Sequence, residues 1–258
     1  MSNEEMECKK HFIENTHRNE EGRFVVSIPL KENVSKLDES KEIAQRRFIS
    51  LERKLKKDPK LREQYSAFLE EYERLGHMRR VSQDIIDNVS YYLPHHCVIK
   101  SDSSTTKVRV VFDASAASSS GISINDLQMV GATVQDDLFS LLIRFRTHQY
   151  IISGDIEKMY RQVLVNPNQR SLQRIIWRFQ DNEPVQIFEL NTLTYGMASS
   201  PFLATRCLLE IANQIEERLP KIARIIRKDF YVDDLLTGAE TIEEAIDIRR
   251  NVAQTLET

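Results

Sequence analysis

Apolar positions recur at helical spacing in the first third of the chain and crowd into short strand-like runs in the rest. Phe48, Leu51 and Leu55 share one face of a segment spanning residues 39–57, which predicts a helix. Asp58-Pro59 ends that helix and opens another, with Asp as the cap and Pro as the first helical residue. Leu61, Tyr65, Phe68, Leu69, Tyr72 and Leu75 give the second helix its apolar face, and Gly76 is suited to close it. From residue 90 the texture changes. Residues 93–100 and 107–113 flank a polar six-residue connector and read as a hairpin, while the small polar residues 115–123 read as a loop. Leu138, Leu141, Leu142 and Phe145 in register predict a helix over 134–147. Strands follow at 150–156, 173–179 and 185–190, then a helix at 201–219, a strand-turn-strand at 230–237 and a last helix at 242–256. This is an α+β mixture without regular βαβ alternation. The change of texture predicts an N-terminal extension with a helical pair, residues 1–89, and a strand-rich domain, residues 90–258.

Composition narrows the class. With 41% hydrophobic and 29% charged residues among 258, the chain is expected to bury a real core. No apolar run approaches the roughly 18–20 residues that span a bilayer, and MSNEEMECKK has no apolar stretch to act as a secretory signal. Cys8, Cys97 and Cys207 are odd in number and scattered, so no disulfide framework is expected and an intracellular setting is. A net charge of -3 argues against a uniformly basic nucleic-acid coat protein. That average hides a gradient, however. Residues 41–80 carry 12 basic and 7 acidic groups, whereas residues 181–258 carry 8 and 14.

The acids also carry the strongest candidate chemistry. Asp233-Asp234 interrupts an apolar β-type run, where unpaired burial costs several kcal/mol. A tight hairpin turn puts both at its tip, whether as a metal site or as an ordinary polar turn. Asp155 ends another apolar strand. Side by side, the two strands would assemble three hard oxygen ligands of the kind Mg²⁺ takes together with water and substrate phosphates. Two such ions can drive phosphoryl transfer by positioning and charge neutralisation. The 78 residues between Asp155 and Asp233 leave that convergence open. Asp136-Asp137, by contrast, reads as an ordinary helix start. Cys8, His11 and His17, and likewise His95-His96-Cys97, lack the paired four-ligand spacing of a zinc site. Trp177 and Phe179, with Arg174 and Arg178, read as sheet core rather than as a base-stacking platform.

Four ordered strings go beyond these local readings. Lys107-Val108-Arg109-Val110-Val111-Phe112-Asp113-Ala114, Asp155-Ile156-Glu157-Lys158-Met159-Tyr160-Arg161-Gln162, Thr194-Tyr195-Gly196-Met197-Ala198-Ser199-Ser200-Pro201-Phe202 and Tyr231-Val232-Asp233-Asp234 resemble the motifs of reverse transcriptases. Together with Gly22–Leu30 and the basic helical pair they resemble the Pao/BEL class of long-terminal-repeat retrotransposons. The resemblance implies right-hand polymerase fingers and palm, with a ferredoxin-like antiparallel sheet in the palm and a helical extension before it. It also implies an RNA-directed DNA polymerase. Asp155, Asp233 and Asp234, with the main-chain carbonyl of Ile156, would hold Mg²⁺ or Mn²⁺. Arg109, Lys107 and Lys100 would meet the incoming deoxynucleoside triphosphate. Tyr160 would exclude a 2′-hydroxyl, and Gly196 would allow close backbone approach. Implied partners are a template with its primer and the ribonuclease H, integrase and protease domains of a Pol polyprotein. The implied setting is the cytoplasm, within virus-like particles. Two positions depart from the family pattern: Gly131-Ala132 stands where Gly-Pro is common, and Gly154 where Ala is. Only 24 residues follow Asp234, so a fragment lacking the thumb is expected. Two rivals stay open, an inactive nucleic-acid-binding remnant and a two-metal nuclease; a nuclease needs neither Arg109 nor Tyr160.

Overall fold

A computed structural model describes residues 1–82, 89–99 and 108–257. Its helices in chain order are α1 (Asn3–Asn15), α2 (Lys41–Lys57), α3 (Pro59–Arg74), α4 (Leu138–Phe145), α5 (Met159–Gln162), α6 (Ser200–Ile215), α7 (Pro220–Lys228) and α8 (Ile242–Leu256). The strands are β1 (His17–Arg18), β2 (Phe24–Val26), β3 (Met78–Val81), β4 (His95–Ile99), β5 (Val108–Phe112), β6 (Tyr150–Asp155), β7 (Leu164–Val165), β8 (Arg174–Trp177), β9 (Gln186–Leu190), β10 (Phe230–Tyr231) and β11 (Asp234–Ala239). The chain divides into two compact units, each assembled from separate segments. Met1–Val25, Val130–Val163 and Pro201–Thr258 form the first, and Val26–Met129 with Leu164–Ser200 forms the second. The boundary expected at residue 89 falls inside the second unit.

The second unit holds the helical pair where its periodicity placed it. Phe48, Leu51 and Leu55 of α2 and Tyr65, Leu69 and Tyr72 of α3 are buried. The Leu61 amide donates to the Asp58 carboxylate at 3.0 Å, and Gly76 closes α3 at φ +72°. β3, β9 and β8 form an antiparallel sheet in that order, and β4 pairs antiparallel with β5, from His95 opposite Phe112 to Ile99 opposite Val108. The connector expected at 101–106, with Lys100 and Lys107, lies outside the described residues.

Trp177 anchors this unit's core. It is 1% exposed, stacked on Tyr65 at 5.1 Å and edge-on to Phe48 at 5.9 Å. A base-stacking role for it is therefore closed off. The arginines beside it are also committed: Arg178 pairs with Glu52 at 2.6 Å, and Glu189 takes Arg174 at 2.7 Å and Arg79 at 2.9 Å. Much of the basic excess of the helical pair is thus answered locally, with Lys56 and Arg62 both on Asp181.

In the first unit β10, β11 and β6 form an antiparallel sheet on which α4 and α8 pack. Three helices here were not anticipated, the short α5 among them. α1 is nucleated by a capping box between Ser2 and Glu5 and buries Cys8 and Phe12. α7 buries Ile222, Ala223, Ile225 and Ile226. The single helix expected over 201–219 stops at Ile215, because the residue before Pro220 is disfavoured in the α region and the proline starts a new helix. The helix expected from residue 134 begins instead at Leu138, where the Ser140 amide donates to the Asp137 carboxylate at 2.9 Å. Of its four expected core positions only Leu141 is buried; Leu138 and Leu142 are exposed.

His95 shows how tightly the second unit is packed, and why it is no metal ligand. Tyr65 Oη donates to Nδ1, and Nε2 donates to the Ile176 carbonyl at 3.0 Å. Both ring nitrogens are occupied with the ring neutral. Burial pushes its pKa from 6.5 down to about 4, against a smaller raising effect of the Ile176 carbonyl. A histidine held below its unfolded value contributes stability above pH 6.5 that is lost as pH falls towards 4, here about 3 kcal/mol. Chemical denaturation of the wild type is accordingly expected to steepen in its pH dependence between pH 6.5 and 4. His95→Gln, which cannot take up a proton there, is expected to flatten that interval; equal slopes would refute the assignment.

Candidate active site

The site is built from the register of one strand pair. β6 and β11 run antiparallel with Asp155 opposite Asp234, Gly154 opposite Leu235 and so on to Tyr150 opposite Ala239. Directly opposed residues project side chains to the same face, a few ångströms apart. β10 and β11 are joined by the two residues Val232 and Asp233, Tyr231 pairing with Asp234. The convergence left open by the sequence is therefore supplied by sheet pairing: Asp155 and Asp234, 79 positions apart, meet because two strands share a ladder. The Ile156 amide donates to the Asp233 carbonyl at 3.0 Å and ties the end of β6 to the turn.

Two like charges placed this way repel unless something answers them. None of the carboxylates of Asp155, Asp233 and Asp234 accepts a hydrogen bond or forms an ion pair among the described residues. The Asp155 carboxyl is held above its ordinary value, first by partial desolvation and then by the charges of Asp233, Asp234 and Glu157. The donor set is one of hard oxygens, suited to a hard divalent cation. Even so, no three His, Cys, Asp or Glu side chains among the described residues close into a ready ligand cage. Mg²⁺ ordinarily draws part of its shell from water and substrate phosphates, so the acids fit such an ion without enclosing it.

Backbone strain is concentrated at the same place. Among the described residues two non-glycines have positive φ, Lys158 at +52° and Val232 at +56°. One lies three residues past Asp155 and the other immediately before Asp233. Two-residue hairpins with positive φ at the first central position favour glycine there, and a β-branched residue in that region is a strong outlier. Such a residue costs about 1–3 kcal/mol and persists only where its surroundings hold it.

Gln135 does the holding. The Val232 amide donates to Gln135 Oε1 at 2.7 Å, and Gln135 Nε2 donates back to the Val232 carbonyl at 3.2 Å. The next two residues fix Gln135 in turn. Asp136 receives Lys228 and Arg144, each at 3.1 Å, while Asp137 caps α4. Arg144 also donates to the Lys228 carbonyl and lies 3.5 Å from Asp229, which accepts from Thr237 Oγ1 at 2.8 Å. The reading of Asp136-Asp137 as a plain helix start thus holds for Asp137 only. Gln135 itself was missed. Its one sequence signal was a Val at a turn position that wants glycine, which calls for an external partner.

The remaining site candidates are distributed as follows. Tyr160 lies on α5 in the first unit with the acids and is buried. A cavity of about 560 Å³ opens beside Asp155, walled in part by Ile156, Glu157, Arg18, Arg23 and Cys207; Tyr160 is not in its wall. Arg109 is exposed on β5 of the second unit, opposite Val98. Gly196, in the same unit as Arg109, has φ +105°, and a Cβ there would sit 2.1 Å from the Phe112 carbonyl oxygen. The approach of the Phe112 carbonyl is itself enough to require glycine here. Asn125 Nδ2 donates to the Gly196 carbonyl at 2.8 Å, and the Ala198 amide donates to Asn125 Oδ1 at 2.9 Å. Gln128 accepts from the Ser199 amide and hydroxyl. The string Asn125–Gln128 is thus a strap for the Gly196 loop, another role the sequence reading did not find.

The family described as reverse transcriptase (RNA-dependent DNA polymerase) matches residues 98–258. No curated protein matches the chain. Similar solved structures include a foamy viral protease-reverse transcriptase in complex with double-stranded DNA, at 21% identity and TM-score 0.53, covering 72% of this chain and 27% of that one. Another is a protease-reverse transcriptase mutant of Prototype Foamy Virus, at 17% identity and TM-score 0.57, covering 77% and 22%. The chain spans about a quarter of the length of these structures. At such identities the likeness is one of fold, a mixed α+β arrangement like retroviral fingers and palm.

Two glycine substitutions separate the constraints. Gly196→Ala is expected to destabilise the protein by at least about 2 kcal/mol, because the clash is with backbone. Gly154→Ala has open space, with nothing within 4 Å of the added Cβ, and is expected to stabilise by about 0.4–1 kcal/mol. Thermal unfolding of the two variants beside wild type checks both signs.

Proposed function

This chain belongs to the reverse transcriptase (RNA-dependent DNA polymerase) family, and we propose that it adds deoxynucleotides to a primer 3′-hydroxyl by metal-assisted phosphoryl transfer. One observation carries the reading: Asp155 and Asp234 are opposed across β6 and β11 with no ion pair to answer them among the described residues, beside a strained turn bearing Asp233. A purely structural sheet edge gains nothing from such an arrangement.

In this reading Asp155, Asp233 and Asp234, with the Ile156 carbonyl, hold a pair of Mg²⁺ ions, and Mn²⁺ is an acceptable substitute. Bound there, the metal would lower the pKa of the primer 3′-hydroxyl and offset charge on the attacking and leaving oxygens. The chain's own residues position the reactants. The Asp155–Asp234 register sets the spacing of the oxygen ligands, and the Ile156 amide on the Asp233 carbonyl keeps the turn against β6. Arg109 is assigned to the triphosphate, since its planar fork binds phosphate oxygens in pairs. Lys100 and Lys107 belong to the same proposal on sequence grounds. Tyr160, five residues after Asp155, is assigned the exclusion of a 2′-hydroxyl by steric repulsion. Gly196 supports the nucleotide site indirectly, through the loop it allows to close on Phe112.

The natural substrates in this reading are an RNA or DNA template with its primer and deoxynucleoside triphosphates. We place the chain in the Pao/BEL class, on the strings at residues 107–114, 155–162, 194–202 and 231–234. Its implied companions are the protease, ribonuclease H and integrase domains of a Pol polyprotein in the cytoplasm.

Primer extension on an RNA template with the purified chain tests this directly. Extension is expected with Mg²⁺ or Mn²⁺, is expected to stop with EDTA, and is expected to fall by about 100-fold or more in Asp155→Asn and Asp233→Asn. A chain that binds template-primer but extends nothing with either metal would favour the inactive remnant. Extension untouched by both substitutions would remove the site assignment.

A further inference from the structure

We propose that Gln135 is a positioning residue of the polymerase site, setting the Tyr231–Asp234 turn in the conformation that aims Asp233 and Asp234. The proposal rests on the polymerase reading and deepens it. Three facts of geometry support it. First, Val232 stands at φ +56°, in a region its β-branched side chain disfavours, so the turn does not hold this shape on local grounds. Second, the one side chain of Gln135 engages both polar groups of the Val232 backbone, at 2.7 and 3.2 Å, so the plane of the amide fixes the direction of both. Third, Gln135 is itself braced: Asp136 takes Lys228 and Arg144, and Asp137 caps α4.

The consequence falls on the acids. Asp233 follows the clamped residue directly, and its carbonyl is already taken by the Ile156 amide. With Val232 and Asp233 both held, the start of β11 is aligned so that Asp234 meets Asp155 in register. Release of the clamp lets Val232 relax to negative φ, and the peptide before Asp233 rotates with it. The chemistry of Gln suits this task better than its relatives. Glu accepts the Val232 amide but cannot donate to the carbonyl, Asn is one methylene short, and Leu fills the space without bonding.

Three variants of the full chain decide the matter: Gln135→Leu, Gln135→Glu, and Gln135→Leu combined with Val232→Gly. Backbone amide exchange at Val232 and Asp233, affinity for Mn²⁺ alone, and single-turnover primer extension are measured for each. Gln135→Leu is expected to raise exchange at Val232 by about 10-fold and to weaken Mn²⁺ affinity by about 10-fold or more. The extension rate is expected to fall by roughly 10- to 100-fold with template-primer affinity unchanged. Gln135→Glu, keeping one of the two bonds, is expected between that variant and wild type. Adding Val232→Gly is expected to recover most of the loss, because glycine adopts positive φ unaided. A residue that merely stabilises the fold gives no such recovery.

Unchanged exchange at Val232 in Gln135→Leu would overturn the clamp. Faster exchange with unchanged Mn²⁺ affinity and extension rate would overturn its role in positioning. If the wild type extends no primer, the polymerase reading fails, and exchange and Mn²⁺ affinity alone then decide Gln135, faster exchange with weaker Mn²⁺ affinity supporting it and a wild-type value of either refuting it.

Discussion

Antiparallel pairing of β6 with β11 forces carboxylates at residues 155 and 234 to face each other, and the neighbouring structure is organised around that placement. Like charges brought to one edge of a sheet cost free energy that no ion pair among the described residues offsets. The ladder bonds, the Ile156 amide on the Asp233 carbonyl and the Gln135 clamp together outweigh this cost. The first unit thus holds like charges together at a cost in stability that the rest of its fold offsets, and in the proposed reading a bound cation would relieve it.

A single device recurs in both units: a side-chain amide stands in for a missing backbone partner. Gln135 serves Val232 in the first unit. Asn125 and Gln128 serve Gly196, Ala198 and Ser199 in the second. Each strap holds a loop whose backbone departs from regular structure, at Val232 because of its positive φ and at Gly196 because of its contact with Phe112. An amide is suited to this, being uncharged and able to donate and accept at once. A carboxylate in the same place would answer only half of the exposed backbone.

Legibility differed sharply between elements. The helical pair was readable because its apolar face, the Asp58-Pro59 junction and Gly76 are local signals that tertiary structure had only to obey. The last helix, at 242–256, was read to its ends for the same reason, with Thr241 as its cap. The start of α4 was not readable. Residues 134–137 continue a helical-looking pattern, yet Gln135 is drawn to a turn 97 positions away, and the cap at Asp137 starts the helix late. Arg174 and Arg178 were read with the sheet core, but their carboxylate partners, Glu189 and Glu52, were not legible, because the pairs form only when the sheet and α2 assemble.

The order of motifs, the acids at 155, 233 and 234, and the turn between β10 and β11 were determined locally, by residue type and short-range periodicity. Those terms act within a few residues and leave their mark in the string of letters. Pairing of Asp155 with Asp234, the clamp on Val232 and the contact that makes Gly196 obligatory came only with the folded chain. Each joins residues dozens of positions apart, where no periodicity reaches. Ladder register, hydrogen bonding and close approach of backbone decide such contacts, and these are properties of the assembled sheets.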